Sequence, residues 1–130
     1  MPRVPSAIAS AAMPLLLALA AAASLAAGPF DGAYGGTTSL VRNNARIGSG
    51  QPLCTVGTTR ARFLVTDGII AMTWLNSEWR AQVRPDGAIS ASTTLDGISI
   101  SATGKVTGSA MVLFFGSEAC GYRFDGFKGG

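Results

Sequence analysis

The feature that most constrains this chain is its punctuation. Asp67-Gly68, Asp86-Gly87, Asp96-Gly97 and Thr107-Gly108 interrupt the second half of the sequence at short intervals. Such pairs suit tight hairpin turns, because glycine adopts positive φ freely and aspartate tolerates it. Between them run segments of alternating polarity, the period-two signature of a strand with one buried face. Beyond the first 27 residues no segment sustains a helical period. A chain divided in this way is expected to fold as antiparallel hairpins joined one after another.

The turns also predict registers, which the core pattern can test, since a slip of one residue turns every buried side chain outward. A two-residue turn at Asp67-Gly68 pairs Val65 with Ile70, Phe63 with Met72 and Ala61 with Trp74. A loop over Leu75–Glu78 sets Trp74 opposite Trp79, Met72 opposite Ala81 and Ile70 opposite Val83. Arg84-Pro85-Asp86-Gly87 suits a type I turn followed by a glycine bulge, pairing Val83 with Ile89 and Ala81 with Ala91. Asp96-Gly97 pairs Leu95 with Ile98 and Thr93 with Ile100. A turn at Ser117-Glu118 sets Phe115 opposite Cys120, Leu113 opposite Tyr122 and Met111 opposite Phe124. The weak joint is Thr107-Gly108. A turn there keeps Met111, Leu113 and Phe115 inside but leaves Ala110, Val112 and Phe114 on the outer face. That surplus either forms a contact with another protein or packs under the N-terminal strand or the 42–52 loop.

Upstream, Phe30 to Arg42 reads as a further strand weakened by glycines at 32, 35 and 36. Residues 42–50 read as an exposed loop, and Gln51 to Val56 as a short strand or extended segment carrying Cys54. The total is seven or eight strands in up-and-down order. A sheet of that length curls and closes, which removes its edges. The expected fold is all-β, an antiparallel up-and-down meander forming a small closed or flattened barrel.

The N-terminus has a different character. Arg3 precedes the apolar run Met13 to Ala23, and Ser24-Leu25-Ala26 offers small residues at a cleavage site. This reads as a signal peptide over residues 1–26, with a single domain over 27–130. The rival reading keeps Ala7 to Ala27 as an uncleaved anchor, but Pro14 and the many alanines make a weak bilayer span. Removing the first 26 of 130 residues leaves 104, enough for one small domain. The expected location is periplasmic or secreted. The two cysteines of an exported chain this small are expected to form one disulfide, Cys54–Cys120. A metal-binding or redox pair lacks the C-x-x-C spacing, and the sequence contains no histidine.

Phe30-Asp31-Gly32-Ala33-Tyr34-Gly35-Gly36 after the leader, the hairpin at Val83–Gly87 with its Asp86-Gly87 turn, and Cys120-Gly121-Tyr122 near the end carry a resemblance. In these motifs the chain resembles small exported bacterial proteins of uncharacterised function. The resemblance implies a periplasmic, all-β protein with one disulfide, and it brings no catalytic residue with it.

Functional classes narrow by chemistry. Without histidine, Ser-His-Asp and Cys-His catalysis are excluded within one chain. Lys105 and Lys128 lie in no nucleophile motif, and most carboxylates sit in turns, where they serve the local backbone. No enzyme and no cofactor is expected. The net charge of +3 falls to +2 when Arg3 leaves with the leader, too slight a surplus to point to nucleic acid. Two binding features remain. Arg60, Arg62, Arg80 and Arg84 are expected on one outer face with the short Ala71 and Thr73 between them, either a basic patch for a carboxylate-rich or phosphate-bearing partner such as an anionic envelope polymer or simply solvated strand faces that discourage aggregation. Inside, Met72, Trp74, Trp79, Met111 and Tyr122 mix with alanines and glycine, a lining that either interlocks or leaves a pocket for a small apolar ligand. The leading expectation is an exported, non-enzymatic binding module, and the alternative is a carrier of a small apolar ligand in the barrel.

Overall fold

Asp67-Gly68 and Asp96-Gly97 each place two consecutive residues at positive φ, with aspartate at 53° and 52° and glycine at 74° and 78°. That is the type I′ geometry whose twist matches the strands it joins. In the computed structural model, which describes residues 28–50 and 53–130, these turns link consecutive antiparallel strands. The strands are β1 (Gly32–Asn43), β2 (Thr58–Thr66), β3 (Ile69–Trp74), β4 (Ser77–Val83), β5 (Ala88–Leu95), β6 (Ile98–Thr107), β7 (Ala110–Ser117) and β8 (Cys120–Lys128). Each pairs with the next, and β1 pairs with β8 to close an eight-stranded barrel. The leader and cleavage site expected over residues 1–26 lie outside the described residues, as do the first two residues of the extended segment expected over 51–56. The rest of that segment, Leu53 to Val56, forms no strand.

The predicted pairs Val65–Ile70, Val83–Ile89, Leu95–Ile98 and Thr93–Ile100 all form. At Arg84–Gly87 the glycine bulge appears as expected, with the Gly87 N–H donating to the Arg84 carbonyl and Gly87 at φ 88°. Three other hairpins pair two residues out of the expected register, β3–β4 with earlier partners and β6–β7 and β7–β8 with later ones. Leu75 and Asn76 form the β3–β4 turn at φ 48° and 68°, so Met72 faces Trp79 and Ile70 faces Ala81. Gly108 and Ser109 form the β6–β7 turn. At the β7–β8 turn the Cys120 N–H donates to Ser117 Oγ, and Phe115 faces Tyr122, Leu113 faces Phe124 and Met111 faces Gly126. Because each shift is an even number of residues, strand parity survives and the same side chains stay inside. Three expected pairs, Phe63–Met72, Ala61–Trp74 and Ala81–Ala91, do not form, because the strands separate before reaching them.

One end of the barrel, here the base, carries the β2–β3, β4–β5 and β6–β7 turns and the C-terminus. These turns are stitched to their neighbours: the Val83 N–H donates to the Gly68 carbonyl, Val106 to Gly87, and Lys128 to Ser109. The Asp31 carboxylate accepts from the Asp67 and Gly68 N–H groups at 2.8 and 3.0 Å. Those N–H groups, Gly68 foremost, hold its pKa below the usual carboxylate value. Tyr34 Oη donates to the Phe30 carbonyl at 2.8 Å, and burial raises its phenol pKa. Above these turns the interior is filled by Tyr34, Val65, Ile70, Met111, Leu113 and Phe124, each at most 2% exposed. Gly36 permits the close approach of β1 to β8, since a Cβ there would lie 1.9 Å from the Asp125 carbonyl oxygen.

On the outer face Phe114 has a neighbour from within the sheet. The Arg123 guanidinium lies 5.4 Å from its ring centroid and is itself held by Asp125 at 2.8 and 3.0 Å. Phe114 nonetheless stays 42% exposed, so the expected packing under the N-terminal strand or the long loop does not bury it.

A candidate ligand cavity in the barrel mouth

The β3–β4 hairpin is attached to the rest of the barrel only near its base. Its own two strands pair at six positions, from Ile69–Gln82 to Trp74–Ser77. By contrast β2 meets β3 only at Val65–Ile70 and Thr66–Ile69, and β4 meets β5 only at Gln82–Ser90 and Val83–Ile89. Towards the opposite end, the mouth, the hairpin therefore leans away from its neighbours and leaves a slot beside β2. An eight-stranded barrel is just wide enough either to be filled by side chains or to hold one small ligand. Here the base is filled and the mouth is not.

A cavity of about 510 Å³ occupies the mouth, within the range of small-molecule sites. Inward-facing Ala61, Phe63, Met72 and Trp74 line it together with the outward-facing Arg62, Ala71 and Thr73. Both faces of two strands can border one cavity only where that cavity passes through the wall between them. The far side is formed by Ile98, Phe115 and Tyr122. Ring contacts order these aromatics: Phe115 stacks on Tyr122 at 5.6 Å, and Phe63 meets Phe115 edge-on at 5.8 Å and Phe124 at 4.7 Å. Trp74 meets Tyr122 at 6.0 Å, which spans the mouth from hairpin to β8.

Leu53, Thr55 and Gly57 from the β1–β2 connection complete the lining. The Cys54–Cys120 disulfide forms as expected and ties this connection to the start of β8. The Thr55 N–H donates to Tyr122 Oη at 2.9 Å, and the Asn44 N–H to the Ala119 carbonyl at 2.7 Å. Arg42 donates through Nε to the Glu118 carbonyl at 3.0 Å and through Nη2 to the Ser117 carbonyl.

Two polar side chains of the lining have no partner among the described residues. Thr38 Oγ1, on a residue 9% exposed, and Trp74 Nε1 are both buried without a hydrogen bond. Leaving such a group unsatisfied costs about 1–3 kcal/mol. Leu75 adds a third local cost. It lines the cavity, is 52% exposed, and occupies a left-handed turn position that suits asparagine or glycine. Departures from local preference of this kind concentrate where a protein binds something.

Of the interior residues singled out from sequence, Met72, Trp74 and Tyr122 line the cavity. Trp79 and Met111 instead belong to the packed core, at 6% and 1% exposure. The four arginines are all exposed, two on β2, one on β4 and one at the β4–β5 turn. Arg60 lies opposite Thr37 towards the mouth and Arg80 opposite Ala71. Arg84 sits at a base turn, 3.9 Å from Asp86. Arg62 alone of the four borders the cavity. Sequence reasoning missed Thr38, Leu75, Ile98 and Phe115 as lining residues. The one signal in the sequence was Leu75, an apolar residue within the loop expected over Leu75–Glu78. Among the described residues no group of three potential metal ligands forms. Comparisons with protein-family models, curated proteins and solved structures return no match for this chain.

Proposed function

We propose that this chain is an exported, non-enzymatic binding module that takes up one small, largely apolar molecule in the mouth of its barrel. The observation that carries this reading is the cavity of about 510 Å³, walled by Phe63, Met72, Trp74 and Phe115, with buried Thr38 and Trp74 polar atoms that find no partner among the described residues. An apolar wall with a few convergent polar groups is the usual composition of a small-molecule site. A ligand bearing a hydrogen-bond acceptor satisfies the Trp74 N–H, which only donates. Export is supported by the disulfide, which persists in oxidising compartments. The periplasmic resemblance in the turn motifs points the same way.

The sequence also allowed a protein or an anionic envelope polymer as partner; the mouth cavity, which Arg62 alone of the four arginines borders, favours the small-ligand reading. The test is a titration of tryptophan fluorescence with the neutral probe N-phenylnaphthylamine, on wild type and on Ala61→Leu, which places bulk in the cavity. Saturable binding to wild type, weakened at least about tenfold in the variant, is expected. Absence of saturable binding, or equal binding by both, refutes the reading.

A further inference from the structure

We infer that the ligand is an anionic amphiphile that enters sideways between β2 and β3, with its charged head at Arg62 and its tail against Phe63, Met72 and Phe115. This rests on the reading of the mouth cavity as a ligand site and adds the ligand's chemical class and route.

The charge of the head follows from the lining. Among the described residues Arg62 is the only one with a formal charge bordering the cavity, and no carboxylate of theirs accompanies it. It makes no ion pair among the described residues, where arginine–carboxylate pairs join Arg84 to Asp86 and Arg123 to Asp125. The Trp74 N–H, a donor only, and the Thr38 hydroxyl, buried at 9% exposure, also lack partners. A cation and unsatisfied donors around apolar walls complement a carboxylate, sulfonate or phosphate on a hydrocarbon body. A cationic ligand meets the reverse, with Arg62 opposing it and no acid to receive it.

The route follows from the strand pairing. Arg62 lies on the outer face of β2 and reaches the cavity because the ladder to β3 stops at Val65–Ile70. The opposite lip carries the short Ala71 and Thr73, which leave the slot clear. The axial side is bordered by Leu53 and Thr55, on the connection pinned through Cys54–Cys120. A molecule passing between the strands thus leaves its head at the wall and its tail inside.

Two probes of one aromatic skeleton separate this inference from the reading beneath it: neutral N-phenylnaphthylamine and anionic anilinonaphthalene sulfonate. Each is titrated into the wild-type chain, Arg62→Gln and Arg60→Gln, with chemical unfolding confirming that all three are folded. The sulfonate is expected to bind wild type about tenfold more tightly than the neutral probe. Arg62→Gln is expected to abolish that preference while keeping neutral binding, and Arg60→Gln, which lies off the cavity, to retain it. Equal affinities in wild type, or a preference that survives Arg62→Gln, overturns the inference while the cavity reading stands. If the neutral probe does not bind at all, both fall together.

Discussion

Replacing both cysteines, Cys54→Ala with Cys120→Ala, probes how the mouth is held. The disulfide closes a loop of 66 residues, and loop-closure entropy for that length gives about 4 kcal/mol of stabilisation through the unfolded chain. The native state moderates the loss. The barrel closes through the β1–β8 ladder, which runs from Tyr34–Lys128 to Asn43–Cys120 without needing the bridge. Cutting the bridge frees mainly the connection between β1 and β2, and the folded variant regains the backbone entropy of those residues. The net loss is therefore expected at about 2–4 kcal/mol. For a domain of this size that lowers Tm by roughly 10–30 °C. Urea unfolding followed by tryptophan fluorescence measures it, and far-UV circular dichroism is expected to remain that of the intact barrel. Because Leu53, Thr55 and Cys120 border the cavity, probe affinity is expected to fall even where the barrel is fully folded. An unfolded variant at 25 °C, or one as stable as wild type, refutes this division between a self-closing barrel and a pinned mouth.

Leu75→Asn relieves a left-handed leucine and is expected to raise stability by about 1 kcal/mol while weakening N-phenylnaphthylamine binding, since Leu75 borders the cavity. A variant that is less stable, or that binds unchanged, counts against strain held for binding. Gly36→Ala drives a Cβ to 1.9 Å from the Asp125 carbonyl oxygen and 2.5 Å from Gly126 Cα. A loss of about 3 kcal/mol in urea unfolding is expected, and a loss below about 1 kcal/mol contradicts that close approach. The Asp31 pKa is lowered in the fold, so its contribution is full above the ordinary value of 3.8 and disappears as pH falls through the lowered pKa. Asp31→Asn is expected to be less stable at neutral pH and to lose less on acidification; parallel stability-versus-pH curves for the two proteins contradict this.

The inside and the outside of this barrel were legible in the sequence because strand parity is a local property. Trp79, Ala81, Val83 and Phe124 alternate with polar neighbours, and an even register shift at Leu75-Asn76, Gly108-Ser109 or Ser117–Cys120 leaves such alternation intact. Turn positions were less legible, since the type I′ turn at Leu75-Asn76 carries none of the usual turn chemistry in its first residue.

Local patterning alone thus determined the strands, their sequential antiparallel order, the disulfide and which faces are dry. What only the tertiary structure decided is where β2 and β3 part company. That depends on how far each pair of strands keeps its ladder around a closed ring, a property of all eight strands together. The same closure sets Trp79 and Met111 in the packed core, brings Thr38, Trp74 and Tyr122 around an open mouth, and turns an outer-face Arg62 into part of its wall.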